Sequence, residues 1–185
     1  MKIITIPHPT LRTIAEPVVE FDINLRQFIS KLESTLTATQ NPKGVGLAAP
    51  QVDKKLRVFT TAVDQPLTFI NPEIIGHSQT LTLGPDADDP ILEGCLSMPN
   101  LYGPVPRHSW VEIEFQTLDV TSTSAQTIKQ SRRFVDFFAR VIQHELDHLN
   151  GVLFVDHSLQ YDLPVYHERG KDKTEEVERS FLELI

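Results

Sequence analysis

The sequence has few of the residues that several classes of protein require. Its 185 residues include a single cysteine, Cys95, so no disulfide can form within the chain. It carries 17 lysines and arginines against 25 aspartates and glutamates, and this acidic balance argues against a nucleic-acid groove or a surface for anionic membranes. No apolar run approaches the roughly 20 residues of a membrane span. Pro7 interrupts the short apolar start, which argues against a signal peptide.

What remains is the composition of an ordinary globular protein. Apolar residues make up 40% of the chain and charged residues 23%. A chain of this length can bury a core and a site, and it has no internal repeat, so we expect one catalytic domain over residues 1–185. A lone thiol is typical of a reducing compartment, so we expect a cytoplasmic protein, most simply a bacterial one.

Hydrophobic periodicity predicts helices near both ends and strands between them. Asp22 has the character of an N-cap, and apolar residues at helical spacing follow it, which predicts a helix over 23–39. Asp172 with Glu175 resembles a capping box that would begin a short C-terminal helix. Strands are predicted from alternation and β-branched content at 56–63, 67–75, 80–83, 110–120 and 127–130.

The strongest helix is predicted over 132–149, and it contains the pattern His-Glu-x-x-His. Residues four apart share a helix face, so His144 and His148 can reach one ion, while Glu145 lies beside that face and Asp147 on the other side. The order of elements indicates an α+β fold. We expect mixed or antiparallel β-sheets around a central metal-binding helix, with an N-terminal helix and a short C-terminal helix.

A metal site on this helix needs a third ligand, and the residues leave two sources open. Downstream, where zinc proteases with this motif usually find it, the candidates include His157, His167 and Glu168. Upstream, Cys95 follows a glycine in a tight turn. One thiolate with two imidazoles would leave a fourth tetrahedral position for water. The alternative for Cys95 is a thiol that packs as a small apolar group.

Three segments in order resemble the signature motifs of the peptide deformylase family. They read Gly-Val-Gly-Leu-Ala-Ala-Pro-Gln at 44–51, Glu-Gly-Cys-Leu-Ser at 93–97 and Gln-His-Glu-Leu-Asp-His at 143–148. Each motif alone is moderately specific, and all three in this order are highly specific. The resemblance covers most of the chain. The family removes the formyl group from the N-terminal formylmethionine of newly made proteins.

The resemblance implies a role for each matching residue in the reaction. The metal ligands would be Cys95, His144 and His148. The catalytic groups would be Glu145 as the carboxylate, with Gln51 and the backbone N–H of Leu96 holding the formyl oxygen.

The resemblance also implies contacts with the substrate. Gly46 would pair with the peptide main chain. Glu93 is also expected among the substrate-binding residues, and it would form an ion pair with Arg107. We expect the methionine side chain to be enclosed by apolar residues, namely Val45, Ile91, Phe137 and Val141, although a plain core role is the alternative for Phe137 and Val141.

The family implies one divalent metal ion, with Fe²⁺ as the expected native ion and Zn²⁺, Ni²⁺ or Co²⁺ as substitutes. The implied partners are N-formylmethionyl nascent peptides, with transient ribosome association. No direct contact with nucleic acid or membrane is expected. Two alternatives stand beside this interpretation: a His-Glu-x-x-His metallopeptidase, and a catalytically inactive metal-binding protein related to deformylases.

Overall fold

The computed structural model describes residues 1–86, 89–119, 126–170 and 173–185. A short 3-10 turn, Pro9–Arg12, precedes the first helix, and a second one, Ala49–Val52, follows the first strand. In chain order, the helices and strands are α1 (Ile23–Ala38), β1 (Gly46–Ala48), β2 (Val58–Thr61), β3 (Leu67–His77), β4 (Leu81–Thr82), β5 (Leu92–Cys95), β6 (Met98–Pro104), β7 (Arg107–His108), β8 (Trp110–Leu118), β9 (Thr127–Val135), α2 (Asp136–Leu149), α3 (Phe154–Tyr161), β10 (Tyr166–Glu168), β11 (Thr174–Glu176) and α4 (Arg179–Leu182).

The strands form three antiparallel sheets, and the α+β prediction is confirmed. The largest sheet has the order β1-β2-β3-β8-β9, the second β11-β10-β6-β5, and the third pairs β4 with β7. Among the described residues, no helix has both the length and the apolar content to cross a membrane.

Helices cover both faces of the five-stranded sheet because its side chains alternate. Phe59 and Phe69 face α2, whereas their neighbours Val58 and Ile70 pack with the apolar residues of α1. Period-two alternation sends successive side chains to opposite faces. The sheet therefore separates α1 from α2, and β1 lies at an edge of the sheet.

Four phenylalanines form the centre of the layer between α2 and the sheet. The ring of Phe69 stacks on Phe59 with centroids 4.5 Å apart, and it lies 4.4 Å from Phe115 and 5.6 Å from Phe134. All four side chains are buried. Rings at these separations add to the free energy of burial, so the cluster fixes α2 against the sheet.

The start of α2 differs from the prediction. We predicted a helix over 132–149, but β9 continues to Val135 and α2 begins at Asp136. The reason is strand pairing: Trp110 pairs with Val135, and Phe134 points into the aromatic core as a strand residue. Asp136 then turns the chain with φ at 51°, a left-handed conformation that Asp tolerates better than most residues.

The C-terminal region also departs from the sequence prediction. Asp172 lies outside the described residues, and Glu175 belongs to β11, so the helix does not begin there. A short C-terminal helix, α4, does follow. The hairpin of β10 and β11 went unpredicted because it depends on pairing of Tyr166 with Glu176 and with Tyr102 of β6.

Several other predictions are confirmed, whereas strands β1, β5, β6 and β7 were not predicted. The carboxylate of Asp22 accepts a hydrogen bond from the Leu25 N–H at 2.9 Å, which is the expected N-cap of α1. The five predicted strands are present with shifted ends. Helix α3 was missed; the Asp156 carboxylate begins it by accepting from the Leu153 N–H at 2.7 Å.

Replacing Phe69 with alanine tests the aromatic layer. We expect Phe69→Ala to lower the free energy of unfolding by about 3–5 kcal/mol, because a buried ring leaves a cavity that rigid neighbours cannot fill. Urea denaturation measures the change. The control is Val19→Ala, whose side chain is 82% exposed and which should stay within about 0.5 kcal/mol of wild type. A similar small change for Phe69→Ala would contradict the prediction.

Candidate metal centre

A hairpin between β5 and β6 positions the only cysteine. Cys95 ends β5, and it pairs with Met98 across a tight turn. The backbone N–H of Ser97 donates to the Cys95 sulfur at 3.4 Å. This turn points the buried sulfur at helix α2 rather than into a purely apolar core.

The two histidines of α2 converge on this sulfur. One ligand atom from each of Cys95, His144 and His148 lies within 4.8 Å of the other two. Cys95 Sγ lies 3.2 Å from His148 Nε2. Of the downstream candidates for the third ligand, none joins this cluster within the described residues. His157 instead faces Asp147, with its Nε2 atom 2.8 Å from Asp147 Oδ2.

The donor set fits one divalent metal ion. A thiolate and two imidazoles are a common ligand set, and three protein ligands leave a position open for water or substrate. Nδ1 of His144 lies 3.1 Å from Glu93 Oε2, so its other ring nitrogen, Nε2, remains free to face the ion. Nδ1 of His148 is buried, with no hydrogen-bond partner among the described residues.

The charges of the cluster favour ionised ligands. Burial opposes ionisation of the Cys95 thiol, but His148 and His144 outweigh burial and lower the pKa of the thiol to about 5. Burial likewise disfavours a charged His144, yet Cys95 and Glu93 raise the pKa of this imidazole well above its ordinary value. A thiolate is therefore available near neutrality, and metal binding would displace a proton from the imidazole.

The site contains two buried carboxyl groups, and the first of them, Glu93, has its negative charge paired with arginine side chains. Arg107 donates to both of its oxygens, at 3.0 and 2.9 Å, and Arg140 donates to Oε1 at 3.1 Å. Burial disfavours the charged form, but Arg107 and His144 hold the pKa of Glu93 well below its ordinary value. The expected Glu93–Arg107 pair is present, and it lies in the interior rather than on the surface.

Glu145 has the opposite environment. Its side chain is buried beside Gly46, and its Oε2 atom has no hydrogen-bond partner among the described residues. Burial raises the pKa of Glu145 to about 7, with His144 and His148 offsetting only part of this effect. A carboxyl group poised near neutrality can take up and release a proton under physiological conditions.

Gln51 reaches the same space from the turn that follows β1. Its side-chain oxygen accepts from the Ala48 N–H at 2.8 Å, which fixes the orientation of the amide. Its NH₂ group donates to Cys95 Sγ at 3.5 Å and to Ser97 Oγ at 3.3 Å. An N–H donor is thereby held beside the sulfur.

A cavity of about 380 Å³ joins these groups. Eleven of the twelve residues proposed for the site line it, and His148 lies behind the others, 1% exposed. The lining residues from that set are Val45, Gly46, Gln51, Ile91, Glu93, Cys95, Leu96, Phe137, Val141, His144 and Glu145. Phe137 stands at the rim, where 46% of it is exposed, so a purely core role does not describe it.

Sequence reasoning missed several groups that complete the site. Arg140 was not singled out, although it lies four residues before His144 and therefore shares its helix face. Ser97 lies in the matched cysteine motif, but its contact with Gln51 depends on the fold. Asp147, which the sequence placed on the other side of the helix, was not missed: its carboxylate lies 2.6 Å from Arg107 Nη1 and extends the ion cluster away from the cavity.

A cysteine sulfur and two imidazoles define a metal-dependent hydrolase site when they lie beside a buried carboxyl group with one oxygen that has no hydrogen-bond partner in the described part of the chain. Comparison with known proteins identifies its family. Residues 1–162 match the family model for polypeptide deformylase. The peptide deformylase of Acinetobacter baumannii (strain SDF) is 36% identical over 183 residues, covering 97% of this chain and 92% of that protein. Peptide deformylase 2 of Nostoc is 37% identical, covering 84% of each chain.

Solved structures agree with the sequence comparison. A Synechococcus elongatus peptide deformylase in complex with actinonin matches with a TM-score of 0.72 and 34% identity, covering 85% of this chain and 78% of that one. The Thermotoga maritima peptide deformylase gives a TM-score of 0.72 and 33% identity, covering 84% and 95%. The chain belongs to the polypeptide deformylase family, whose members are hydrolases that remove N-formyl groups from nascent peptides.

Replacing Arg107 with methionine tests the buried ion cluster. We expect a loss of about 3–5 kcal/mol in the free energy of unfolding, because Glu93 and Asp147 both lose their shared cation in a buried site. Thermal or urea denaturation measures it. The matched control is Arg169→Met, which breaks an exposed pair with Glu175 and should cost at most about 1 kcal/mol. Equal losses for the two variants would mean that the buried pairing contributes little.

Proposed function

We propose that this chain hydrolyses the formyl amide on the N-terminal methionine of newly made polypeptides and releases formate. One observation carries the proposal: the sulfur of the β5–β6 turn lies 3.2 Å from the imidazole of His148, with a buried carboxyl group beside it. Membership of the polypeptide deformylase family supports it.

Cys95, His144 and His148 would hold the ion. When bound, the ion supplies Lewis acidity, which acidifies a water ligand and polarises a carbonyl group. We assign Fe²⁺ as the native ion, with Zn²⁺, Ni²⁺ or Co²⁺ as substitutes. The family resemblance supports this assignment, and a mixed sulfur and nitrogen donor set is compatible with all four ions.

Glu145 moves the proton during hydrolysis. Its carboxyl group lies next to the triad, and a pKa near 7 suits a group that first accepts a proton from water and then gives it to the departing amine. Oε2, which no residue in the described ranges contacts through a hydrogen bond, is the atom at which the proton would be taken up.

Gln51 and Leu96 stabilise the negative charge that develops on the formyl oxygen. The Gln51 NH₂ group already points toward Cys95 Sγ, and Leu96 follows the cysteine in the same turn. Preorganised N–H donors aimed at a developing oxyanion typically contribute about 3–4 kcal/mol each.

The free edge of β1 binds the peptide main chain. Gly46 starts this edge strand and lines the cavity, so an extended peptide can add alongside it. The methionine side chain occupies the apolar part of the cavity. Its walls would be Val45, Ile91, Phe137 and Val141, with Glu93 at the base.

The remaining expectations concern the cellular setting. We propose that residues 1–185 act as one catalytic domain in the bacterial cytoplasm, where a reducing environment preserves the Cys95 thiol. Formylated nascent chains are the substrate, so contact with the ribosome would be transient.

Two observations disfavour the alternative functions. A metallopeptidase would have no need of Cys95 as a ligand, yet its sulfur is in the cluster. A purely structural metal site would need neither Glu145 nor Gln51, although both are buried against the triad. A single assay separates the three functions: formyl-Met-Ala-Ser yields formate, internal cleavage, or no product.

Two substitutions separate catalysis from metal binding. Glu145→Gln should lower kcat roughly 10²–10⁴-fold with metal content unchanged, because it removes the proton acceptor and spares the ligands. Cys95→Ser should lose the metal itself. Formate release and metal analysis after anaerobic purification measure both effects, and the same analysis identifies the native ion. Retained metal in Cys95→Ser, together with internal cleavage of the peptide instead of formate release, would favour the metallopeptidase.

Gly46→Ala tests the close packing of β1 against the catalytic carboxyl group. A methyl group at this position would overlap the Glu145 carboxyl group, whose Cδ atom would lie only 2.7 Å away. We expect kcat to fall roughly 10²-fold, since a displacement of about 1 Å is enough for such a loss. Gly76→Ala is the matched control, because its nearest contact would be an ordinary 3.5 Å. Equal activity of both variants would remove Gly46 from the site.

A further inference from the structure

Arg140 is a buried cation that joins four segments around the cavity. It projects from α2 and is only 5% exposed. Its guanidinium donates to Glu93 Oε1 on β5 at 3.1 Å, to the Val105 carbonyl oxygen after β6 at 2.6 Å, and to the Thr82 carbonyl oxygen on β4 at 3.0 Å. No other described side chain donates to all of these segments.

Its first contact completes the carboxylate that orients a metal ligand. Glu93 Oε1 accepts from Arg107 and Arg140, whereas Oε2 accepts from Arg107 and faces His144 Nδ1 at 3.1 Å. With Oε1 occupied by two donors, Oε2 remains directed at the imidazole. Arg140 thus helps to set the orientation of His144 without touching it.

Its contact with Thr82 holds one wall of the substrate cavity. Thr82 ends β4, and the next residue, Leu83, accepts a hydrogen bond from the Ile91 N–H at 2.9 Å. Ile91 lines the cavity, and its side chain packs against Gly84. The Arg140–Thr82 bond therefore anchors the segment that places Ile91 against the expected methionine side chain.

We infer that Arg140 is a positioning residue that couples the Ile91 wall of the methionine pocket to the Glu93–His144 pair, and so sets side-chain specificity as well as ligand geometry. The inference rests on the proposed deformylase function. The planar guanidinium of Arg140 is suited to this role, because it can donate hydrogen bonds in three directions at once. The ammonium group of a lysine, on its flexible side chain, cannot reproduce that geometry.

The test compares hydrolysis of formyl-Met-Ala-Ser and formyl-Leu-Ala-Ser by the metal-loaded enzyme. We expect Arg140→Met to raise KM for the methionine peptide and to reduce the ratio of kcat/KM values, methionine over leucine, roughly tenfold. Arg140→Lys keeps the charge, so it should fold and retain metal, yet it should lose the same discrimination because it cannot hold both Glu93 and Thr82.

Arg107→Met provides the matched comparison. The Arg107 side chain also donates to Glu93, but its remaining partners are Asp147 and His157. Only the backbone of Arg107 pairs with Thr82, and substitution of the side chain leaves that pairing in place, so among the described residues the Arg107 side chain has no bond to the segment that carries Ile91. This variant should lose stability and weaken metal retention while the methionine-to-leucine ratio stays within about twofold of wild type.

The outcomes separate the inference from the function on which it rests. If wild type releases no formate from either peptide, the deformylase proposal fails. If wild type is active and Arg140→Lys or Arg140→Met keeps the wild-type ratio, the positioning role is wrong, whatever the change in stability. A lowered ratio in Arg107→Met equal to that in Arg140→Lys would also overturn it, because the effect would then arise from Glu93 alone.

Discussion

The buried charge of Glu93 is the constraint on which the site depends. A carboxylate in the interior is tolerated only when nearby cations compensate for its lost hydration, and two arginines and an imidazole surround this one. These partners come from different elements: Arg107 from β7, Arg140 and His144 from α2. Glu93 itself lies two residues before Cys95, so satisfying one charge fixes the sulfur relative to the histidine helix.

The hydrogen-bond partners give the two carboxyl groups of the site different environments. Glu93 receives donors on both oxygens and stays ionised. Glu145, one residue after His144, has a buried oxygen that no described residue donates to, and its pKa is raised to about 7. Environments that push two pKa values apart allow one residue to hold charge and the other to move protons. Because both are glutamates, the difference between their pKa values follows from their hydrogen-bond partners rather than from residue type.

Local chemistry explains which features could be predicted from the sequence. The N-cap at Asp22, the alternation of β8 and the i, i+4 histidines depend on neighbours in the chain, and the structure has them where expected. The start of α2 and the contacts of Arg140 depend on pairing across the fold. Trp110 holds Val135 in a strand despite the helical pattern of the residues that follow. Spacing alone gives no information on such a pairing.

The C-terminal hairpin shows how a segment beyond the family match can support the metal site. That match ends at residue 162, and β10 and β11 follow it. Strand β10 pairs with β6 on the side opposite β5, so it covers an edge that the cysteine hairpin would otherwise expose. Tyr102 pairs with Gly94 on one side and with Tyr166 on the other, which places a continuous ladder behind Cys95. The position of the sulfur therefore depends on residues far from any signature motif.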